Sequence, residues 1–254
     1  MKPAAPIDSP RLAGQGAGAV PDARRHAVAL LSGGLDSATA ARWAQSEGFR
    51  LTALTIDYGQ RHRAELDAAR EVAAALGIAD HVVLTIDLAA FGASALTDAA
   101  IAVPHGRSAA DIAHGIPATY VPARNTVFLS LALALAEARG AEAIVIGINA
   151  VDYSGYPDCR PEYLEAFSRM ATLGTKVGVE GRPIAFLAPL ARLSKEAIVR
   201  LGLSLGLDPG LTTSCYEPEP DGRPCGTCDA CLLRAAGFAA AGAADPRCDP
   251  GRWR

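Results

Sequence analysis

The sequence has almost no lysine. Three of its 254 residues are lysine (Lys2, Lys176 and Lys195), and the formal net charge is -3. No basic field is available to wrap nucleic acid, so that class of partner is excluded at the outset. No apolar run is long enough for a membrane span either. The longest, Val127 to Ala136, ends at Glu137, where a span needs about 20 residues. Six cysteines are too few for a disulfide scaffold. Residues 1–25 hold Pro, Gly, Ala and scattered charge without a compact apolar centre. That composition predicts a disordered tail and no secretory signal. The expected compartment is therefore the reducing cytoplasm, where clustered cysteines bind metal or do chemistry more often than they pair.

Half of the residues are hydrophobic and 20% are charged, enough to bury a sizeable core. The length suits one domain, or one domain with a small attachment. Alanine is abundant, and reads as compositional bias without functional meaning.

From residue 26 the pattern alternates. Strands are expected at His26–Leu31, Leu51–Ile56, His81–Ile86, Ala143–Ile146 and Ile184–Leu187. Helices are expected at Asp36–Glu47, Arg63–Leu76, Arg124–Arg139, Pro161–Leu173 and Ser194–Leu205, with Ser194 as a cap and Lys195 in the first turn. Strands without polar alternation, separated by helices, predict an α/β fold with a parallel sheet covered on both faces. Residues 87–122 are irregular and suit a functional loop or lid. The division expected is a tail over 1–25, a nucleotide-binding domain over 26–206 and a Cys-, Pro- and Gly-rich segment over 207–254.

Ser32-Gly33-Gly34-Leu35-Asp36-Ser37 lies where the first strand hands over to the first helix. Two glycines let backbone amides approach an anion, and the helix amino terminus adds unpaired N–H groups and a partial positive charge. Ser32 and Ser37 add hydroxyls, and Asp36 is placed to hold a magnesium ion bridging phosphates. The plain alternative is a glycine turn capped by Asp36; the full hexapeptide in strand-turn-helix context favours phosphate. The string resembles the pyrophosphate loop of the ATP pyrophosphatase superfamily. It lacks the lysine of a Walker loop. The resemblance implies cleavage of ATP between its α and β phosphates, with Leu31 to Ala41 (Ala38, Thr39, Ala40 and Ala41 included) binding the nucleotide.

Cys215, Cys225, Cys228 and Cys231 form a C-x9-C-x2-C-x2-C pattern. Four thiolates at these spacings match a closed tetrahedral zinc site, with Gly226 permitting the tight knuckle. A redox pair would open a helix in a thioredoxin-like fold, whereas this cluster comes last. An iron–sulfur centre would lack recognisable supporting residues. One structural Zn2+ per chain is the expectation. Cys159 and Cys248 stand outside the cluster.

Further strings join these: Asp57-Tyr58-Gly59-Gln60-Arg61-His62, Val121-Pro122-Ala123-Arg124-Asn125, Asp152-Tyr153-Ser154-Gly155-Tyr156-Pro157-Asp158-Cys159-Arg160, and Pro189-Leu190 with Leu193-Ser194-Lys195. Together, from about His26 to Pro246, the set resembles the 7-cyano-7-deazaguanine synthase family of the queuosine precursor pathway. The resemblance implies a Rossmann-like, doubly wound, five-stranded parallel sheet of the adenine nucleotide alpha hydrolase-like kind, with a small C-terminal zinc-binding subdomain. It implies an ATP-dependent ligase that joins ammonia to 7-carboxy-7-deazaguanine and leaves a nitrile, consuming two ATP. ATP and Mg2+ would be used, the partners would be small molecules without nucleic acid or membrane, and the enzyme would be a homodimer.

Under that reading Arg124 neutralises phosphate or acyl-phosphate charge. Tyr153 and Tyr156 stack on the deazaguanine ring, with Ser154, Cys159 and Arg160 beside them, and Asp158 accepts from ring N–H groups. Ordinary packing is the alternative for the tyrosines. Asp152 positions ammonia or magnesium. His62 reads as a helix-start histidine rather than a base, and Cys159 as pocket lining rather than a nucleophile. Two rivals predict different features. A tRNA-thiolating enzyme would carry a basic surface and redox-active cysteines. A nucleotide-binding or zinc-dependent interaction module would have no need of Arg124-Asn125. A glutaminase domain would not fit in 254 residues, so free ammonia is the expected nitrogen source.

Overall fold

The computed structural model describes residues 25–112, 114–150 and 155–248. The tail over 1–24 and the triplet Asp152, Tyr153 and Ser154 lie outside the described residues. Five strands, β1 (His26–Leu30), β2 (Arg50–Asp57), β3 (Asp80–Thr85), β4 (Ala143–Val145) and β5 (Ala185–Leu187), form one sheet in the order β3-β2-β1-β4-β5. Every pairing is parallel. The helices are α1 (Leu35–Ser46), α2 (Ala64–Ala75), α3 (Ala109–Ile112), α4 (Arg124–Arg139), α5 (Pro161–Gly174), α6 (Lys176–Val179), α7 (Lys195–Ser204) and α8 (Asp229–Ala241).

The unbroken apolarity of the inner strands has a direct cause, since both faces are covered. In β1 and the residue after it, Ala27, Ala29 and Leu31 face α1, α2, α7 and α8, while Val28 and Leu30 face α4 and α5. The first layer is built largely from small residues. Ala27, Ala29, Ala53 and Ala143 of the sheet meet Ala38, Ala40, Ala41 and Ala44 of α1. The alanine surplus is thus partly structural, because it lets α1 lie close to the sheet.

The segment from residue 207 wraps back onto this core. Phe238 of α8 is 2% exposed and packs in the α1 layer. Arg234, one turn earlier, is 5% exposed. Its guanidinium donates to Asp245 in a two-point pair (2.6 and 2.9 Å), to Thr212 Oγ1 (2.8 Å) and to the Pro209 carbonyl (2.9 Å). Burial raises the Asp245 carboxyl pKa, and Arg234 more than offsets this, leaving it below the usual carboxylate range. Removing one partner strands the other's charge. Asp245→Ala is therefore expected to cost about 3 kcal/mol or more in denaturant unfolding. A loss under ~1 kcal/mol would mean that the carbonyls alone satisfy Arg234.

The irregular stretch 87–122 is strapped to the cysteine segment. His105 forms an isolated bridge with Cys228. Gly106 donates to the Thr227 carbonyl (2.8 Å), and Arg107 pairs with buried Asp229 (2.9 Å).

Candidate active site

The strand order reverses between β1 and β4. Crossovers leave in opposite directions there, opening a crevice at the carboxyl ends of the strands. A cavity of about 230 Å³ occupies it, lined from the ends of β1, β2 and β4 and from α1, α2, α4, α7 and α8.

The loop Ser32–Ser37 forms its floor. Ser32 and Ser37 share a hydrogen bond between their hydroxyls (3.0 Å), and Ser37 also accepts from the Ser32 amide (3.1 Å). Gly33 adopts φ 82°, and a Cβ there would lie 2.3 Å from the Glu65 carbonyl oxygen and 2.7 Å from the Ala69 amide. Glycine is thus required both by conformation and by the approach of α2. On the other side Thr213 donates to the Gly33 carbonyl (2.9 Å), tying the C-terminal segment to the loop.

Leu31, Ser32, Gly34, Leu35, Asp36 and Ser37 line the cavity. Ala38, Thr39, Ala40 and Ala41, expected to bind nucleotide, are at most 1% exposed and belong to the core side of α1. Only the first helical turn has amides to offer an anion, and the helix then rotates later side chains into the packing.

A lysine from α7 reaches the loop. Lys195 Nζ donates to both carboxylate oxygens of Asp36, at 3.0 and 2.8 Å. Its ammonium lies at the cavity wall although the residue is 8% exposed. Ser194 fixes its start by accepting from the Ala197 amide (3.3 Å). The aliphatic stem crosses Gly237 of α8, where a Cβ would stand 2.3 Å from Lys195 Cγ. The sequence places Lys195 in a helix's first turn and in one of the strings that carry the family resemblance, but gives it no role.

Arg124 opens α4. The preceding Ala123 sits in the left-handed region (φ 53°) and donates its amide to Tyr120 Oη (3.0 Å). Such strain costs about 1 kcal/mol or more and here sets the angle at which Arg124 enters the cavity. The guanidinium lies against the Tyr58 and Phe128 rings (5.6 and 5.8 Å) and donates to Tyr58 Oη (3.4 Å). No carboxylate among the described residues pairs with it. A cation with rings on its flanks and donors left over is prepared for an anion.

Asn125 and the turn at Asp158-Cys159 clasp one another behind this wall. Asp158 accepts from the Asn125 amide (3.0 Å), while Asn125 Nδ2 donates to the Asp158 carbonyl (3.2 Å) and to Cys159 Sγ (3.4 Å). Asp158 therefore satisfies the first turn of α4 and does not line the cavity, in contrast to the ring-binding role expected of it. Arg160 also points away and donates to the Pro157 carbonyl (3.1 Å). Tyr156 and Cys159 do line the cavity. Tyr156 Oη bonds Thr119 (2.8 Å). Burial pushes the Cys159 thiol up to about 12, so it stays protonated and suits lining. His62 is outside the lining, and its buried Nε2 has no partner.

The four cysteines of the C-terminal segment converge, with their sulfurs all within 4.8 Å of one another. Tetrahedral zinc with Zn–S near 2.3 Å sets sulfurs about 3.8 Å apart, and Cys225 and Cys231 stand at 4.0 Å. Amides donate to the sulfurs, among them Cys225 to Cys215 (3.2 Å) and Cys228 to Cys225 (3.3 Å). Those donors suit thiolates, and the set can hold a metal ion. The cluster backs the cavity directly, since Tyr216 and Ala230 line it from positions beside Cys215 and Cys231.

Comparison with known proteins follows the same residues. Positions 26–242 match the family described as Queuosine biosynthesis protein QueC. The chain is 62% identical over 222 residues to the 7-cyano-7-deazaguanine synthase of Anaeromyxobacter dehalogenans, covering 87% of this chain and 94% of that one. It is 60% identical over 222 residues to the enzyme of that name from Azotobacter vinelandii, covering 87% and 97%. The relative of that name in Kineococcus radiotolerans is also 60% identical over 222 residues, covering 87% and 96%.

Proposed function

The chain belongs to the QueC family of queuosine biosynthesis, and from that membership we propose that its cavity converts 7-carboxy-7-deazaguanine and ammonia to 7-cyano-7-deazaguanine in two ATP-dependent steps. The carrying observation is that Lys195, Arg124 and the Ser32–Ser37 loop line one cavity.

A carboxylate is a poor electrophile, and an amide does not lose water unaided. Adenylation answers both difficulties with one pocket. The loop amides and Ser37 hold the departing pyrophosphate, and Lys195 balances the charge that develops on it. Arg124 holds the carboxylate or the α-phosphate. Ammonia displaces AMP to give an amide. A second adenylation on the amide oxygen, followed by loss of AMP, leaves the nitrile. Tyr156, Tyr153 and Ser154 are assigned to the ring, and Asp152 to ammonia or magnesium.

Asp36 is the carboxylate that would hold Mg2+, which binds through one or two carboxylates plus substrate phosphates and shields phosphate charge. Zinc is the ion proposed for Cys215, Cys225, Cys228 and Cys231. A closed four-thiolate set has no open position, so its role is to fold the segment. The remaining elements of the proposal are a nucleotide-binding unit over 26–206 with a zinc segment over 207–254, cytoplasmic placement, no nucleic-acid partner, and a homodimer. No helix among the described residues is long and apolar enough to cross a membrane. Met170, Leu173 and Val179 are exposed apolar side chains on α5 and α6.

The test is direct. Purified protein, metal loaded, is incubated with ATP, magnesium, ammonium and the acid, and the nitrile is sought by mass alongside AMP. Formation of both is expected. Neither product appearing would remove the ligase reading.

A further inference from the structure

Two carboxylates line the cavity among the described residues, Asp36 and Glu65. Asp36 is paired with Lys195. Glu65 has no hydrogen bond or ion pair. It sits in the first turn of α2, half-buried, with Arg124 and Tyr58 near enough to interact electrostatically but not in contact. An acidic residue there favours the helix dipole, yet exposed Asp67 in the same turn already does so from solvent. A partnerless carboxylate turned into a cavity is costly and calls for a ligand.

We propose that Glu65 is the general base that takes protons from the substrate nitrogen, a role that rests on the ligase reading above. In the first half, ammonia adds to the acyl adenylate, giving a tetrahedral oxyanion that carries NH3+. Glu65 accepts one N–H proton, the oxyanion collapses, and the C–O bond to AMP breaks. In the second half, the amide oxygen attacks the α-phosphate and pyrophosphate leaves, giving a protonated imidate. Glu65 accepts one N–H proton from it. Loss of the last N–H proton to Glu65, reset by release of its first proton to solvent through the cavity mouth, accompanies C–O cleavage and forms the nitrile. No oxidant or reductant is needed.

The position is suited to this work. Burial pushes the Glu65 carboxyl up to about 7, against the opposing pull of Arg124. A base of that strength accepts protons near neutrality and returns them readily. The groups that face it are Tyr58 from the end of β2 and Arg124 from α4. Tyr156 and Cys159 stand behind Arg124, and the Asp36–Lys195 pair and Arg234 line the cavity with it. Burial pushes Tyr58 and Cys159 each up to about 12, so neither titrates in the same range.

The amide intermediate, supplied with ATP in place of acid and ammonia, keeps the titration of ammonium out of the assay. Wild type should lose rate as pH falls through about 7, because a protonated Glu65 cannot accept. In Glu65→Gln, kcat for amide to nitrile should fall about 10²-fold or more at pH 8 and the acid limb should vanish. KM for the amide and acid-dependent ATP–pyrophosphate exchange without ammonia should stay within about threefold, since adenylation of the acid moves no proton from nitrogen. Glu65→Asp should recover part of the rate.

Three results would overturn the assignment: exchange falling with kcat, a raised KM at unchanged kcat (a binding contact), or an acid limb persisting in the glutamine variant. If wild type makes no nitrile from acid, ammonia and ATP, the ligase reading itself fails and Glu65 falls with it. Nitrile formation in wild type with any of the three results above sinks the Glu65 role alone.

Discussion

Lys195→Met is expected to lower AMP formation by about 10²- to 10³-fold while the protein stays folded. Methionine keeps most of the stem that crosses Gly237, so packing against α8 changes little. What goes is the cation. In the cavity, screened from solvent, a fixed positive charge aimed at a departing pyrophosphate is worth far more than in water. Asp36 would lose its partner at the same time, at 2.8 and 3.0 Å, leaving one more negative charge facing the nucleotide. Both changes oppose binding and cleavage of the triphosphate. Lys195→Arg should not restore the rate, because a planar fork does not fit the slot above Gly237. The measurement is acid-dependent ATP–pyrophosphate exchange alongside a thermal melt. Exchange within tenfold of wild type would take Lys195 out of the site.

Lys195 also marks where sequence reading stops. Its partner Asp36 is 159 positions away, and periodicity carries no information across such a gap. Contiguous features fared differently. Apolar runs flanked by glycines locate β1, β2 and β3 to within a residue or two, and Arg124–Arg139 is a helix between the same residues as expected. Gly140, in the left-handed region at φ 64°, ends it. The four cysteines were legible because metal-ligand spacing is local. The placement of Asp158 was not legible, because a carboxylate in a motif can serve substrate or backbone equally well. Only the packing of Pro157–Cys159 against α4 shows that it satisfies the Asn125 amide. The burial of Ala38 to Ala41 was not legible for a geometric reason: motif proximity extends along a sequence, whereas free helix amides end with the first turn. Glu65 carried no motif signal that distinguished it from any acid at a helix start.

Metal removal should have the second large effect, and it should reach the cavity. Cys228→Ala is expected to lose the bound ion, which in wild type should analyse at about one zinc per chain. Cys228 is fully buried, sits at the cap position just before α8 and accepts from the Tyr216 amide (3.5 Å). Beside it are the His105 bridge, the Thr227 carbonyl that receives Gly106, and the Arg107–Asp229 pair. Without the ion, those hydrogen bonds and a small cluster of buried side chains around Ala95, Val103 and Ala230 are left to hold the segment. The damage should nevertheless be uneven. Phe238 and Gly237 anchor the rest of α8 in the main core and against Lys195, so most helical signal should survive. A loss of about 4 kcal/mol would lower the melting temperature by about 10 °C in a chain of this size. Turnover should fall much further, because Tyr216 and Ala230 form cavity wall and Thr213 ties the segment to the phosphate loop. Chelation of wild type should reproduce both effects, and added zinc should reverse them. A metal-free variant that melts and turns over like wild type would show that the cysteines hold the wall by packing alone.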